Sequence, residues 1–256
     1  MPTHLSLDEH LTALRRGGVV LRDAAARAGL EAPVPTCPAW DVRTLVIHQG
    51  MVHRWARANL RRERSDTTSH WRADAEAAPD LLEWFSDGLA ALLETIDATP
   101  DDAKALVFLN DAPPPRRFWA RRQAHETTIH GADAVAAALG RWPTAGDLSI
   151  DPEVAADGVD ELLCGFITRG KGKLRPTEPL TVVVTTDDTG HAWTMRLDDG
   201  SLTTVVGAPA QPDATMSGTA AQLYLGLWNR GDEITVKGRD DLMALWREQV
   251  RVRWGG

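Results

Sequence analysis

The sequence predicts a two-domain α+β protein, with an N-terminal four-helix bundle and a smaller C-terminal domain of strands and helices. In the first half, apolar residues recur at helical spacing, and proline-marked segments separate the helices. After about residue 145 the pattern changes to short apolar or alternating runs that end in turn residues such as Asp199 and Gly200. We therefore expect the domains to cover residues 1–145 and 146–256.

Four long helices are predicted in the first domain. Ser6 followed by Glu9 is a capping-box pattern, which predicts a helix start. Prolines at positions 33, 35 and 38 exclude a helix there, and Asp41 is an N-cap for the next one. The predicted helices cover residues 6–28, 42–64, 81–98 and 117–139, with a polar stretch at 65–80. Proline-marked loops between long helices are typical of an antiparallel bundle.

The second domain is predicted to begin with a helix at 151–168, followed by a loop at 169–179. Strand-length runs lie at 180–188, 191–199, 202–209, 213–218 and 233–238. Helical patterns occupy 219–230 and 240–250. Strands mixed with helices in this order indicate a small α+β domain.

Composition excludes several classes of function. The net charge of −8 and the pI near 5.5 argue against nucleic acid as the main partner, because phosphate binding needs a basic surface. Short basic runs do occur, and we interpret them as solvated helix faces. They contain Arg61, Arg62 and Arg64, and Arg116, Arg117, Arg121 and Arg122. Two distant cysteines, no signal-peptide pattern and no apolar run of about 20 residues predict a soluble cytoplasmic protein without a disulfide framework.

A polar pair interrupts the apolar face of the fourth predicted helix. Glu126 and His130 are four residues apart, so their side chains lie on one side of the helix. His48 occupies a similar position on the second helix, on the same side as Leu45 and Trp55. Burying such groups requires an ion pair, an acid–base couple or a metal. Two imidazoles and a carboxylate, with one coordination position open, are the ligands of a catalytic zinc site.

Each of these residues also has a simpler interpretation. His48 could be a hydrogen-bonded core histidine, and a Glu-x-x-x-His pair is common on helix surfaces. His53 lies well around the helix from His48, and His125 points to another face than Glu126, so we expect neither to be a ligand. Cys37 and Cys164 belong to no Cys/His nucleophile arrangement.

Three segments resemble the mycothiol-dependent maleylpyruvate isomerase family. The segment VPTCPAWDVRTLVIHQGMVHRWA at 34–56 resembles its first signature, and RRQAHETTIHGADA at 121–134 its second. The C-terminal segment SGTAAQLYLGLWNRGDEITVKGRDDLMALW is similar to the family's second domain. The resemblance covers nearly the whole chain in the same order.

This resemblance implies a DinB-like four-helix bundle that binds zinc, followed by a sterol-carrier-like α+β domain. It implies that His48, Glu126 and His130 are the zinc ligands and that mycothiol is the cosubstrate. It also implies that Arg230, in the segment LWNRGD, faces the active site and holds a substrate carboxylate. Asn229 departs from the glycine that relatives often have, and Arg230 could instead bind the last carbonyls of its helix.

The resemblance and the polar residues together predict an enzyme. A zinc-bound thiolate would attack an electrophilic small molecule, either transferring the thiol or isomerising a cis double bond through a thiol adduct. The partners would be a small-molecule thiol and its electrophile, not nucleic acid or a membrane. The alternative is a non-catalytic module that carries an apolar ligand in the C-terminal domain, with a metal-stabilised bundle beside it.

Overall fold

The computed structural model describes residues 5–63, 68–109, 112–169, 174, 178–198, 201–208 and 211–250. Contacts between residues divide the chain into two compact units. The first contains Ser6–Phe108 and Ala112–Leu148, and the second includes Ser149–Gly256. The first unit is helical and the second contains a small sheet. The predicted two-domain α+β fold is therefore confirmed, while the domain boundary at residue 145 stays a prediction.

The helical unit contains four long α-helices, one short α-helix and a 3-10 turn at Ala145–Asp147 among its described residues. The α-helices are α1 (Leu7–Ala28), α2 (Val42–Leu60), α3 (Thr68–Ala77), α4 (Leu81–Ala98) and α5 (Pro115–Leu139). Helix α1 packs mainly on α5, and α2 packs on both α4 and α5. The four long helices form the predicted bundle.

Local capping determines where three of these helices begin. The Ser6 side chain accepts a hydrogen bond from the Glu9 backbone, while the Glu9 carboxylate accepts one from the Ser6 backbone. Asp41 and Asp80 accept backbone hydrogen bonds at the starts of α2 and α4. These contacts satisfy amide groups that have no partner within the helix.

Two features differ from the prediction. Helix α2 ends at Leu60, with Arg62 in a left-handed conformation shortly after it, whereas the prediction extended it to residue 64. The polar stretch at 65–80 contains helix α3, which the sequence pattern did not indicate. Ala75 of α3 is buried in the bundle core. A helix with so few apolar residues has only a weak periodic signal.

The bundle core is apolar and closely packed. Leu14, Leu21, Leu45, Leu92 and Ile96 are fully buried. Helices α1 and α5 approach so closely that a Cβ atom on Gly17 would lie 3.2 Å from the Thr128 backbone nitrogen. Burial of these side chains holds the helices together independently of any polar group. No helix among the described residues has the length and apolar content to span a membrane.

The second unit begins with α6 (Pro152–Asp160), which continues into a π-helical segment, Glu161–Phe166. In the described part of this unit, five strands follow, together with α7 (Ala220–Leu227) and α8 (Leu242–Gln249). The strands are β1 (Leu180–Thr186), β2 (Ala192–Asp198), β3 (Ser201–Val206), β4 (Ala214–Gly218) and β5 (Thr235–Lys237). The Asp199–Gly200 turn and most of the predicted loop at 169–179 lie outside the described residues.

The sheet has the order β3-β2-β1-β4-β5, and β1 is parallel to β4 while the other pairs are antiparallel. Its register aligns Val182 with Met195 and Ala214, and Val184 with Trp193 and Met216. All six residues are buried, and because partners in register point to one side of a sheet, they form one apolar face.

Candidate metal centre

The structure brings His48, Glu126 and His130 together between α2 and α5. One potential ligand atom from each residue lies within 4.8 Å of the other two. His130 Nε2 is 3.5 Å from Glu126 Oε1, and the His48 and His130 rings are 5.1 Å apart at an angle of 75°. The i, i+4 spacing on α5 aligns Glu126 with His130, and packing of α2 supplies His48. The three residues predicted as metal ligands therefore lie close together, and their role as ligands stays a prediction.

Two atoms of this group are buried without a hydrogen-bond partner in the described part of the chain. They are His48 Nε2 and Glu126 Oε1. Leaving a buried polar atom unpaired costs about 1–3 kcal/mol, and more for a charged group. A cation between the three side chains would satisfy both atoms, so the residues present fit a metal ion.

Glu126 is ionised because a buried arginine lies beside it. Arg122 Nη2 donates a hydrogen bond of 2.7 Å to Glu126 Oε2, and both side chains are almost fully buried. Burial opposes the charge on Glu126, but Arg122 and His130 outweigh it and lower the pKa of Glu126 to about 2. Oε2 is thus occupied by Arg122, whereas Oε1 faces His130.

His130 is oriented by a second carboxylate on the same helix. Its Nδ1 lies 2.9 Å from Asp133 Oδ2. An ionised carboxylate only accepts hydrogen bonds, so this contact favours a proton on Nδ1. In the neutral ring, Nε2 then carries the lone pair and faces Glu126. Burial opposes a charge on His130, but the contacts with Asp133 and Glu126 raise its pKa above the ordinary value.

His48 is neutral at physiological pH. Burial and the nearby His130 lower the pKa of His48 from 6.5 to about 4. Trp40 packs against both imidazoles, with ring centroids 4.8 Å from His48 and 5.8 Å from His130. The indole covers one side of the site and restricts the orientations available to the two rings.

Of the four arginines at 116–122, Arg117 is exposed as expected, whereas the other three are not. Arg121 is 7% exposed and Arg122 is 1% exposed. Arg116 is also mostly buried, and it donates to the Ile96 and Asp97 carbonyls at the end of α4. Arg116 and Arg122 are buried because carbonyls and a carboxylate of the folded protein receive their hydrogen bonds, and a count of charges in sequence does not reveal those partners. At the other run, Arg61 and Arg62 are exposed, and Arg64 lies outside the described residues.

His53 and His125 lie outside the group of three. His53 is fully buried, and its Nε2 is 2.9 Å from both Gln49 Nε2 and Thr127 Oγ1. Burial and Arg54 lower the pKa of His53 to about 3, so it is a neutral core residue. His125 packs edge-on against His10, with ring centroids 6.3 Å apart.

Arg230 belongs to the second unit and follows α7. Its Nη1 donates a hydrogen bond of 2.8 Å to the Trp228 carbonyl, and its backbone N–H donates one of 2.7 Å to the Leu225 carbonyl. These contacts match the simpler alternative, in which the arginine binds the last carbonyls of its helix. Its predicted role toward a substrate carboxylate stays a prediction.

Several contributors to the site were not identified from sequence. They are Arg122, Trp40, Thr36 and the bond between Asp133 and His130. A weak signal exists for two of them, because Arg122 precedes Glu126 by four residues and Asp133 follows His130 by three. Trp40 and Thr36 lie in a loop, whose approach to α5 no helical pattern indicates.

Comparison with known protein families accounts for most of the chain. Residues 11–135 match the model of the mycothiol maleylpyruvate isomerase N-terminal domain, and residues 153–245 match the MDMPI C-terminal domain. The chain belongs to this family. The family resemblance stated from sequence is thereby confirmed, and membership in a family of enzymes favours catalysis over the carrier alternative. A comparison with curated protein sequences gives no match.

Solved structures support the same fold. The crystal structure of the mycothiol-dependent maleylpyruvate isomerase is similar to this family member, with a TM-score of 0.61 and 18% sequence identity. The match covers 91% of this chain and 93% of that chain. The inverting sec-alkylsulfatase Pisa1 from Pseudomonas sp. matches with a TM-score of 0.29 and 13% identity, over 82% of this chain and 33% of that one. A similarity that low carries no structural argument.

Proposed function

We propose that this chain is a zinc-dependent enzyme that uses mycothiol as cosubstrate, with the metal held by His48, Glu126 and His130. The observation that carries the proposal is the convergence of three buried ligand atoms, two of which have no hydrogen-bond partner among the described residues. Three nitrogen and oxygen ligands with a fourth position open are typical of catalytic zinc sites. Family membership supports mycothiol as the thiol.

Zinc in this position would stabilise the thiolate form of a thiol at neutral pH. The protein's own side chains prepare the site for that charge. His48 stays neutral because its pKa is low, and Glu126 stays ionised beside Arg122. Asp133 keeps the proton of His130 on Nδ1, so that Nε2 is available as a ligand. Trp40 limits the access of water to the two imidazoles.

Two reactions are consistent with this site, and both begin when the thiol sulfur adds to an electrophilic carbon. In isomerisation, the adduct formed at a cis double bond rotates about the resulting single bond. Elimination then releases the trans product and the thiol. In S-transfer, the carbon–sulfur bond persists in the product: either a proton adds to the neighbouring carbon of the former double bond, or a leaving group such as halide departs from the attacked carbon. We propose that Arg230 binds a carboxylate of the electrophile through its planar guanidinium.

The proposal is tested with the full-length chain and three single variants, His48→Ala, Glu126→Ala and His130→Ala. Each should lose stoichiometric zinc, measured by elemental analysis, and lose turnover with mycothiol. Turnover is measured with maleylpyruvate for isomerisation and with a thiol-reactive aryl halide for S-transfer. His70→Ala is the matched control, since this side chain is 71% exposed on α3. Undiminished zinc in all three variants would overturn the metal assignment.

The full-length chain also serves to distinguish the proposed enzyme from the carrier alternative. Removal of zinc with a chelator should abolish turnover, and restored zinc should recover it. A wild-type chain that binds an apolar ligand with equal affinity with and without zinc, and that turns over neither electrophile, would instead support the carrier.

A further inference from the structure

Asp133 connects the candidate metal centre to a loop that lies far from it in sequence. The carboxylate is fully buried, and it lies 2.9 Å from His130 Nδ1 through Oδ2. Thr36 Oγ1 donates a hydrogen bond of 2.6 Å to Asp133 Oδ1. The Cys37 thiol also points to Oδ2, at 3.6 Å. Both oxygens of the carboxylate are therefore held by donors on two different segments.

The loop that carries Thr36 has a defined conformation. An isolated bridge joins Pro33 to Asp41, and the Cys37 backbone N–H donates to the Val34 carbonyl at 2.9 Å. From outside the loop, Trp142 Nε1 donates to the Pro35 carbonyl at 3.2 Å. The Thr36 hydroxyl is thus presented to Asp133 by a backbone that is itself held at both ends.

The orientations of the Asp133 carboxylate and of the His130 ring both depend on the hydrogen bond from Thr36. A carboxylate can rotate about its bond to Cβ, and a donor on the oxygen that does not face the histidine limits that rotation. Partners of this kind set the orientation and tautomer of a metal-binding histidine. The short Thr36–Asp133 bond joins residues 97 positions apart in sequence.

We infer that Thr36 is a positioning residue for the metal centre, which acts through Asp133 to hold the His130 ring and its Nδ1–H tautomer. The inference rests on the proposed function, since it assumes that His130 Nε2 is a zinc ligand. Thr36 itself is not one of the three proposed ligands. Its hydroxyl contributes to zinc affinity because an oriented ligand loses less freedom when the metal binds.

The test compares Thr36→Val, which removes the hydroxyl and keeps the shape, with Thr36→Ser, which keeps the hydroxyl. Zinc affinity of the full-length chain is measured by competition with a chromogenic chelator. We expect zinc to bind roughly 10-fold more weakly to Thr36→Val, the loss typical of one hydrogen bond to a charged group. The zinc affinity of Thr36→Ser should stay within about twofold of the wild-type value, which is a much smaller change than the loss of one such hydrogen bond causes.

Thr95→Val is the matched control, because the Thr95 hydroxyl bonds only to the Ala91 carbonyl of its own helix among the described contacts. It should bind zinc as the wild type does. A second measurement, the nitrogen chemical shifts of the His130 ring in the metal-free protein at a pH where the ring is neutral, reports the tautomer directly. We expect protonated Nδ1 in the wild type and a detectable second tautomer in Thr36→Val. If Thr36→Val does not fold, Thr36→Ala replaces it in both measurements.

The outcomes distinguish this inference from the proposed function. Equal zinc affinity and equal ring shifts in the wild type and Thr36→Val, with zinc lost in His48→Ala, would overturn the role of Thr36 alone. A wild-type chain that binds no zinc would overturn the proposed function and this inference together. Weaker zinc binding in Thr36→Val, recovered in Thr36→Ser, supports the inference.

Discussion

Arg122 Nη2 lies 2.7 Å from Glu126 Oε2, one helical turn away on α5, and both side chains are buried. The arginine neutralises part of the glutamate charge and leaves the other oxygen, Oε1, directed toward His130. Partners of this kind are important for metal sites because they determine which oxygen of a carboxylate is available.

We expect Arg122→Gln to weaken zinc binding by about 10- to 100-fold, the usual effect of removing a group that orients a metal ligand. Without Arg122 the pKa of Glu126 should rise, since burial alone favours the protonated form. Chelator competition at neutral pH measures the change. Arg61→Gln is the control, because Arg61 is half-exposed and pairs with Glu63 at the end of α2. Unaltered zinc affinity in Arg122→Gln would contradict this role.

Zinc affinity should depend on pH through His130. Its pKa is raised above 6.5, whereas the pKa of His48 is lowered to about 4. If zinc binds as proposed, it has to displace the proton from His130 Nε2, so affinity should increase as pH rises through the raised pKa and level off above it. Titrations from about pH 5 to about pH 9 cover this window. An affinity that does not change across it would contradict ligation by His130.

In the metal-free chain, the contribution of His130 to the free energy of unfolding should decrease, and not increase, as pH rises. Because the folded pKa of His130 is raised, its contacts stabilise the fold below the unfolded value of 6.5, and this contribution is lost as pH rises through the folded pKa. Glu126 has a lowered pKa, so its contribution is present above 4.5 and is lost as pH falls toward about 2. Denaturant unfolding of chelated protein at several pH values measures both effects. A free energy of unfolding that is independent of pH would contradict them.

Removal of zinc should leave the helices in place. Leu14, Leu45, Leu92 and Ile96 are fully buried without any contribution from the metal residues. We therefore expect unchanged far-UV circular dichroism after chelation, together with a lower melting temperature, because a ligand that binds only the folded state stabilises it by mass action. Loss of the helical signal on chelation would show that the bundle depends on the metal.

Gly158→Ala should destabilise the second unit. A Cβ atom at this position of α6 would lie 2.3 Å from Tyr224 Cε2, and Tyr224 is fully buried in α7. Alanine favours a helix over glycine by about 1 kcal/mol, but overpacking of a core costs about 1–3 kcal/mol, so we expect a net loss. Gly146→Ala is the control, since its Cβ would approach only Thr144 Oγ1, at 3.8 Å. Equal unfolding free energies for the two variants would contradict the close packing of Gly158 against Tyr224.

Local patterns in the sequence were sufficient for most of the secondary structure. The predicted third helix, 81–98, matches α4, and the five predicted strands are all observed. These elements have strong periodicity and clear end signals, such as the Asp80 cap. Helix α3 was missed because its exposed, polar residues give little periodicity.

The candidate site was predicted only in part. Glu126 and His130 share a helix, so their proximity follows from a spacing of four residues. His48 could be assigned to the same group only because its helix has one apolar face and because the family resemblance supplied the pairing. The burial of Arg121 and Arg122 was predicted wrongly, since arginine is usually exposed unless folding provides a partner.

By itself, the sequence determined the four long helices, the strands, the Ser6 and Asp41 caps and the side of α5 that carries Glu126 and His130, because these depend on residues only a few positions apart. The tertiary structure alone decided that Thr36 bonds to Asp133 and that Trp40 packs on His48 and His130. Those contacts require α2, α5 and the loop before α2 to adopt one relative position. That position results from the packing of apolar side chains and from the close approach of α1 to α5 at Gly17, which no local pattern specifies.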